Sequence, residues 1–328
     1  MLSLLRLIYQ SSYNEIVPSR TFRKVAQKLL DKSNTMKFIH SALLLSLVTA
    51  LLPAQVTAEQ TSDNTAEIVF SDDFNTGSLD RDKWNVIGPT FWVNNEQQAY
   101  IDSEETINFL PAGAIEGAED GVLVLRPKFE PGFETPTGRV ADFVSGRINT
   151  RDKFDFTHGR AAARIKMPDA VGVWPAFWLL GNGDWPYTGE IDIMEYVGEK
   201  DWIGVAAHGP GYSGETPIVN KYYFSPETDA TDWHEYAVEW TAQEMLLKLD
   251  GRLIYRATRP MIEHYGEWRF DTPKFLILNF ALGGAYPFKT NGIETPYNGM
   301  PAETVERIKA GDIEMYVDWV RVTQTVTD

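Results

Sequence analysis

Three acidic residues within six positions are the side chains of this sequence best suited to chemistry. The hexapeptide Glu-Ile-Asp-Ile-Met-Glu starts at Glu190, and in a β-strand, where successive side chains point to opposite faces, Glu190 and Asp192 share one face. Strict alternation would put Glu195 on the opposite, apolar face, where an unpaired carboxylate is costly. A β-bulge near Ile193 and Met194 would return Glu195 to the acidic face. We therefore predict a bulged strand with three carboxyl groups along one groove.

The spacing of the two glutamates suits a pair of carboxyl groups acting on one bond. At about 3.3 Å of rise per residue, with one residue absorbed by the bulge, the two backbones lie roughly 13 Å apart, and inward-leaning side chains bring the carboxyls to about 5 Å. Retaining glycosidases need such a separation, because one carboxylate attacks the anomeric carbon while the other protonates the leaving oxygen. Asp192 can hydrogen-bond the attacking carboxylate and raise the proton affinity of its neighbours. The alternative is an acidic solvated face in a chain of formal net charge −16.

The residues around the acids extend this pattern into a longer motif. It comprises Gly172-Val173-Trp174-Pro175-Ala176-Phe177-Trp178-Leu179-Leu180-Gly181, then Trp185-Pro186, then Gly189-Glu190-Ile191-Asp192-Ile193-Met194-Glu195-Tyr196. The motif resembles the active-site signature of glycoside hydrolase family 16, in its bulged form, and is most similar to the laminarinase group, which cleaves β-1,3-glucans. The resemblance implies an all-β fold, a β-jelly-roll sandwich of two antiparallel sheets with a concave substrate cleft. It also implies Glu190 as nucleophile, Glu195 as acid/base and Asp192 as their partner.

Strand and turn patterns along the rest of the chain favour an all-β sandwich independently. Val122–Leu125 is a buried run, and residues 161–167 alternate apolar with basic side chains, which is typical of a half-buried strand. Asp250-Gly251 lies between two apolar runs and predicts a hairpin with a type I′ turn. Further strands are predicted at 275–278 and 315–322, and a helix at 302–309.

Other residues match positions that line the cleft in the family. Asn94-Asn95-Glu96-Gln97 resembles the strand beside the donor subsites, and Ser145-Gly146-Arg147 resembles the strand whose arginine faces the groove. His208 stands where laminarinases carry a histidine. The Gly-Pro-Gly-Tyr-Ser-Gly loop after it differs from the sequence that is usual in the family. The resemblance therefore implies that Asn95, Arg147 and His208 bind substrate.

Three tryptophans are candidates for stacking against sugars. A pyranose has apolar C–H faces and a rim of hydroxyl groups, so Trp174, Trp178 and Trp185 can stack on it. The alternative is core packing. Adjacent prolines in loop-like contexts favour the cleft for Trp174 and Trp185, while both interpretations stay open for Trp178.

Metal sites are expected only in a structural role. None of the five histidines has a spacing such as His-Glu-x-x-His, so no cofactor is expected for catalysis. In relatives, a structural calcium on the face away from the cleft is held by an aspartate of the last strand and by backbone carbonyls of two N-terminal segments. The resemblance assigns these positions to Asp318, Asp73 and Gly121. Oxygen ligands suit Ca²⁺, but Asp318 could equally be a solvated strand residue.

The N-terminal region resembles a targeting sequence. Met36-Lys37, an apolar run over 42–52 and Val56-Thr57-Ala58 have the order of a signal peptide over 36–58, cleaved near Ala58. The apolar run is shorter than the about 20 residues that a membrane span needs, so no stable membrane anchor is expected. Residues 1–35 are then a non-native or disordered extension, the alternative being an amphipathic helix. Residues 59–67 are predicted to be a loose linker and 68–328 a single catalytic domain.

Charge narrows the classes of partner. Residues 1–58 carry seven basic and two acidic side chains, so the mature chain would have a formal charge of −21. Such a surface repels nucleic acid and anionic membranes and suits a neutral polysaccharide. Together with the signal-peptide pattern, the family resemblance implies a secreted or periplasmic, monomeric endo-glycosidase of β-1,3- or β-1,3-1,4-glucan. The alternatives are a hydrolase of agar, carrageenan or galactan and a non-catalytic glucan-binding protein, against which the presence of both glutamates argues.

Overall fold

A computed structural model describes residues 66–325, so the predicted extension, the signal peptide and nearly all of the linker lie outside the described residues. The strands are β1 (Ala66–Asp72), β2 (Asn85–Val86), β3 (Gln98–Tyr100), β4 (Ile107–Leu110), β5 (Val122–Leu125), β6 (Lys128–Glu134), β7 (Val140–Ser145), β8 (Arg147–Asn149), β9 (Gly159–Lys166), β10 (Val173–Gly181), β11 (Glu190–Glu195), β12 (Trp202–His208), β13 (Val219–Tyr223), β14 (His234–Trp240), β15 (Glu244–Leu249), β16 (Arg252–Thr258), β17 (Lys274–Leu282) and β18 (Met315–Thr325). The helices are α1 (Arg259–Glu263), α2 (Ala285–Asn291) and α3 (Ala302–Ala310).

Two large antiparallel sheets make up the domain. The first has the order β16-β15-β14-β9-β18-β5-β4, with β1 also paired to β18, and the second has the order β13-β12-β11-β10-β17-β8-β2. A small third sheet, β3-β7-β6, contains a parallel pair between β3 and β7. One apolar core takes side chains from both large sheets. The prediction of an all-β sandwich is confirmed.

Local sequence signals determine several elements as predicted. β15 and β16 form a hairpin whose turn residues Asp250 and Gly251 have φ of 49° and 74°, the left-handed values that a type I′ turn requires. The predicted helix at 302–309 is α3, which ends where Gly311 adopts a left-handed φ of 83°. The short helices α1 and α2 were not predicted. Within residues 66–325, no helix has the length and apolarity to cross a membrane.

Two strands, β1 and β17, extend beyond the bounds predicted from the sequence. β1 begins at Ala66, inside the predicted linker, because it continues its antiparallel pairing with β18 up to Thr325. β17 is buried along all nine residues, which explains why its sequence is apolar without alternation. Asn279 is the polar exception in the middle of this strand.

Candidate active site

Strand β11 contains the predicted bulge. Against β10, Phe177 pairs with Met194 and Trp178 pairs with Asp192, so Ile193 is an extra residue on β11. The register against β12 shifts over the same positions. Ile193 and Met194 both belong to the core and are at most 1% exposed. Because two consecutive residues point into the core, the following acid returns to the face of the other two, as predicted.

The cross-strand register arranges the residues of this face in rows that cross the second sheet. One row is Arg147, Asn279, Ala176, Glu195, Gly204 and Lys221. The next row is Asn149, Ile277, Trp178, Asp192, Ala206 and Val219. The third contains Phe275, Leu180, Glu190 and His208. A ligand laid across the strands along the middle row, the one through Asp192, would have Glu190 on one side and Glu195 on the other.

A tryptophan N–H contacts each glutamate. Trp174 Nε1 on β10 donates to Glu195 Oε1 at 3.0 Å, and Trp185 Nε1 donates to Glu190 Oε2 at 3.1 Å. Trp174 is half-buried, whereas Trp185 lies in the loop between β10 and β11 and is 50% exposed. The sequence predicted these rings as sugar platforms. Their indole N–H groups also orient the two carboxyl groups, which was not predicted.

His208 contacts the acids from β12. Its Nε2 lies 3.2 Å from Asp192 Oδ2 and 3.8 Å from Glu190 Oε1. Its Nδ1 is buried without a hydrogen-bond partner among residues 66–325. The ring of Trp185 lies beside it, with the centroids 6.3 Å apart. His208 therefore touches two of the three acids directly.

Burial raises the pKa of all three acids. It raises the pKa of Glu195 to about 8, helped by the charge of Asp192 and opposed by the Trp174 N–H. It raises the pKa of Asp192 to about 7, opposed by a hydrogen bond with Glu190. Burial, and then the Asp192 charge, raise the pKa of Glu190 well above its ordinary value, while His208 lowers it. The cluster therefore holds protons near neutral pH, and its members titrate as a coupled group.

A chain of hydrogen bonds continues from the middle row through β17 to β3. Trp178 Nε1 donates to Asn279 Oδ1 at 2.7 Å, and Asn279 Nδ2 donates to Tyr100 Oη at 3.3 Å. Tyr100 Oη in turn donates to Glu96 Oε2 at 3.3 Å. Trp178 is only half-buried and shares the face of the acids, which is the position that the cleft interpretation predicts; its contact with sugar stays a prediction.

The guanidinium of Arg147 is buried among aromatic rings on the same side. Its Cζ lies 4.2 Å from the ring centroid of Phe91, 4.9 Å from that of Trp178 and 5.9 Å from that of Tyr100. Burial lowers the pKa of Arg147, and nearby acidic groups including Glu190 raise it. Arg147 therefore brings a positive charge into the electrostatic environment of Glu190.

Asn95 is the predicted substrate-binding residue that does not join the acids. It is exposed in the loop before β3, where it lines a separate pocket with Trp92 and Tyr297. The loop passes through left-handed conformations at Asn94 and Asn95, with φ of 54° and 56°. A hydrogen bond from Ala285 N to Asn94 O, at 2.8 Å, fastens it to the start of α2.

Two residues near the acids were missed in the sequence. Asn279 carried a signal, since it interrupts the apolar run that follows Lys274 in β17. Tyr286 carried none: its ring lies 5.5 Å from that of Trp174, and its hydroxyl lies 2.8 Å from where a Cβ of Gly204 would stand. Burial and the charge of Glu195 raise the pKa of Tyr286. A glycine opposite Glu195 thus leaves room for a tyrosine hydroxyl beside the acids.

Glu190, Asp192 and His208 have the arrangement of a metal-ligand set. One ligand atom from each lies within 4.8 Å of the other two, and no other such group of three occurs within residues 66–325. Carboxylate oxygen with imidazole nitrogen suits divalent transition metals such as Zn²⁺. A metal here would occupy carboxyl groups that the predicted reaction needs.

The groups assigned to calcium are arranged differently from a cation site. Asp318 is fully buried, accepts the backbone N–H of Glu119 at 3.0 and 3.1 Å, and pairs with the guanidinium of Arg164. Gly121 belongs to the same loop, and the side chain of Asp73 is exposed. Because N–H donors and a guanidinium face the carboxylate oxygens that Ca²⁺ would need from Asp318, this carboxylate as arranged does not fit the ion. Calcium stays a prediction, and no role is derived from it.

Comparison with known proteins identifies the family. The model described as Glycosyl hydrolases family 16 matches residues 118–293, a range that includes β10, β11 and β12. The chain belongs to glycoside hydrolase family 16. A second model, described as Beta-glucan synthesis-associated protein SKN1/KRE6/Sbg1, matches residues 7–192 and overlaps the first. The predicted family, and with it the class of enzyme, is confirmed.

Individual family members cover most of the chain. The Beta-glucanase of Rhodothermus marinus is 33% identical over 85% of this chain and 93% of its own length. Glucan endo-1,3-beta-glucosidase A1 of Niallia circulans is 30% identical over 78% of this chain, which spans 37% of that longer protein. The crystal structure of the laminarinase catalytic domain from Thermotoga maritima MSB8 superposes with a TM-score of 0.66 at 32% identity, covering 80% of this chain and 99% of that one. The predicted jelly roll is confirmed.

Proposed function

We propose that the protein is an endo-glycosidase that hydrolyses β-1,3-glucan or β-1,3-1,4-glucan with retention of anomeric configuration. The position of Glu190 and Glu195 on opposite sides of the row through Asp192 carries this proposal, since a sugar chain along that row meets one carboxyl from each side. The two relatives named as a Beta-glucanase and a Glucan endo-1,3-beta-glucosidase support the substrate class.

In the first step, Glu190 attacks the anomeric carbon while Glu195 gives its proton to the glycosidic oxygen. The carbon–oxygen bond to the leaving sugar breaks, and an ester to Glu190 forms. The family motif assigns these roles. Burial raises the pKa of Glu190 well above its ordinary value, whereas His208, the Trp185 N–H and the charge of Arg147 favour its ionised form. Glu195, whose pKa burial raises to about 8, keeps its proton near neutral pH.

In the second step, Glu195 acts as a base. It removes a proton from a water molecule, which attacks the anomeric carbon and releases Glu190 as a carboxylate. Formation of the ester removes a negative charge from the cluster, which lowers the proton affinity of the remaining acids. Glu195, which has given its proton to the leaving sugar in the first step, therefore stays ionised until it takes a proton from water in the second.

Asp192 is proposed as the positioning partner of both glutamates. It hydrogen-bonds Glu190, lies 3.2 Å from His208 Nε2, and its charge raises the pKa of Glu195. The sequence alone suggested that the environments of the two glutamates push their pKa values apart. Burial instead raises the pKa of both, and His208 and a tryptophan N–H lower the pKa of both, so the charge of Arg147 beside Glu190 is the group that distinguishes them.

We also propose that the protein is exported and acts on its polysaccharide as a monomer, without a cofactor. The signal-peptide pattern that ends near Ala58 supports export, and the formal charge of −21 that remains after cleavage suits a neutral substrate. Substrate class and stereochemistry can be tested independently of these points.

The decisive experiment uses purified protein that begins at Glu59 with a panel of laminarin, lichenan, agarose and carrageenan. We expect the fastest turnover on laminarin or lichenan, and ¹H NMR should detect the β-anomer as the first product of hydrolysis. Glu190→Gln, which keeps the side-chain volume, is the control for contaminating activity. Turnover of agarose or carrageenan alone would overturn the substrate assignment. Binding of laminarin with no turnover of any polymer would favour the glucan-binding alternative.

A further inference from the structure

The groove continues past the acids over β12 and β13, on the side that takes the leaving sugar. Strand β3 directly follows the segment 94–97 assigned to the donor side, and it is joined to β17, because Leu282 N donates to Gln98 Oε1 at 2.7 Å. In sheet order, β17 and β12 lie on opposite sides of the β10–β11 pair. The middle row continues through Ala206 and Val219, so the leaving part of a sugar chain lies over these two strands.

Helix α2 forms one wall of the groove on this side. The hydroxyl of Tyr286 lies 2.8 Å from where a Cβ of Gly204 would stand, in the row next to the middle row. At the other end of the helix, the side-chain amide of Asn291 donates to Gly299 O at 2.8 Å. The helix is therefore held in place above β12.

The loop between β12 and β13 forms the opposite wall. Tyr212 is buried in its first half and donates from Oη to Glu267 O at 2.8 Å. In its second half, Thr216 Oγ1 donates to Ala207 O at 2.8 Å. Glu215 lies between these two anchors and is exposed. The loop therefore presents an exposed carboxylate from a base that is fixed on both sides.

A pair of charged side chains joins the two walls. Lys289 of α2 donates from Nζ to the carboxylate of Glu215. The walls reach β12 at Gly204 and Ala207, and Ala206 of the middle row lies between these positions. The contact between the two charged groups therefore spans the path of a sugar chain along the middle row. We name this contact the Glu215–Lys289 bridge.

The position of the bridge limits the room on the leaving side. Neighbouring strands lie about 4.8 Å apart, so β13 is about 10 Å from β11, and a glucosyl residue extends over about one such spacing. About two leaving residues therefore fit between the acids and the far side of β13. The two side chains of the bridge are 60% and 80% exposed, and exposed ion pairs shift an equilibrium by about fivefold at most. The bridge is therefore weak enough to open and close during turnover.

We propose that Glu215 and Lys289 determine the length of the sugar that is released on the leaving side. With the bridge closed, the groove accepts a chain end of about two residues, and cleavage releases a disaccharide from the reducing end. With the bridge open, the chain continues past β13, and internal bonds are cleaved. The inference rests on the proposed function and adds the point along the polymer at which the chain is cut.

The test measures the fall in polymer viscosity per reducing end released, at about 0.01 M and about 1 M NaCl. A neutral polymer carries no charge for salt to screen, so a salt effect reports on the ion pair. We expect the ratio for the unmodified protein to rise about two- to fivefold with salt, while the share of disaccharide among the first products falls. Glu215→Gln should give the high ratio at both salt concentrations.

Two further variants separate charge from packing. Glu215→Lys combined with Lys289→Glu restores the pair with reversed charges, so it should restore the low ratio and its salt dependence. Glu306→Gln removes the exposed partner of Lys309 on α3, away from the groove, and is the matched control. It should behave like the unmodified protein.

The outcomes separate the bridge from the substrate assignment. An unchanged ratio for Glu215→Gln, or a reversed pair that behaves like the single variant, would overturn the proposal. If the protein cleaves another polymer of the panel, the proposed substrate fails, and the bridge is judged by the same ratio on that polymer. If it cleaves none, the dissociation rate of bound laminarin decides: the bridge predicts faster release from Glu215→Gln, and equal rates would overturn it.

Discussion

Replacing Asp192 by Asn tests the electrostatics of the acid cluster directly, because it keeps the shape and removes the charge. The Asp192 charge follows burial as the largest cause of the raised pKa of both glutamates. At roughly 5 Å and an effective dielectric constant of about 20, one negative charge raises the free energy of ionising a second carboxyl group by roughly 3 kcal/mol. This corresponds to a rise of about two in the pKa of that group. The substitution leaves Glu195 buried, so we expect its pKa to fall by about one to two and to stay above its ordinary value.

The first assay is the pH dependence of turnover. The basic limb of the kcat profile should move to lower pH by about one to two units, because Glu195 loses its proton more easily. Loss of the partner that orients Glu190 should also lower kcat about a hundredfold, with a smaller change in KM. Near-native turnover with an unchanged pH profile would refute the role of Asp192 and the assignment of the bulged face to the cleft.

The second assay is the free energy of unfolding by urea at two pH values. Burial raises the pKa of Asp192 from 3.8 to about 7, so the stability that this group contributes is present below pH 3.8 and is lost as the pH rises through 7. The loss amounts to at most about 4 kcal/mol for about three pKa units. Asn never ionises, so Asp192→Asn should gain stability relative to the unmodified protein between pH 5 and pH 8. The exposed Asp312→Asn is the control, and a difference independent of pH would contradict the buried-acid argument.

Three further predictions concern the reaction, the N-terminus and metals. With an activated substrate and azide, Glu190→Ala should yield the inverted glycosyl azide and Glu195→Ala the retained one, and the opposite pairing seen by NMR would reverse the roles. Secreted protein should begin at or near Glu59 by N-terminal sequencing, and a chain starting at Met1 would contradict this. Zn²⁺ should inhibit turnover in competition with substrate, and His208→Asn should raise its inhibition constant about tenfold by removing the nitrogen ligand. An unchanged constant would place the inhibitory metal elsewhere.

Local sequence patterns predicted the elements that local physics determines. The hairpin at Asp250 and Gly251 follows from a turn that needs two left-handed residues, and α3 follows from its apolar spacing and the glycine after it. The bulge followed from a parity conflict, because an alternating strand would have buried the last acid of β11. In each case the deciding residues are within a few positions of one another.

Partners distant in sequence could not be predicted in this way. A pattern assigns a side chain to a face, but its hydrogen-bond partner depends on the register of strands that meet only after folding. Trp178 and its hydrogen-bond partner Asn279 are 101 positions apart in the sequence, and Arg164 and its partner Asp318 are 154 positions apart. The second pair is what sequence could not show at Asp318: sequence reveals an acid on the last strand, but not the guanidinium that reaches it.

The bulge is what connects the fold to the chemistry. A regular strand places residues on one face only at even spacings, so two glutamates five positions apart would face opposite sides of the sheet. The extra residue Ile193 changes that parity and sends two adjacent apolar side chains into the core, so the core gains contacts where an acid would otherwise be buried. Because the shift occurs between Asp192 and Glu195, it leaves Glu190 in register with His208 and sets Glu195 one row beyond Asp192. The same irregularity that protects the core therefore determines that a substrate along the middle row meets a carboxyl on each side.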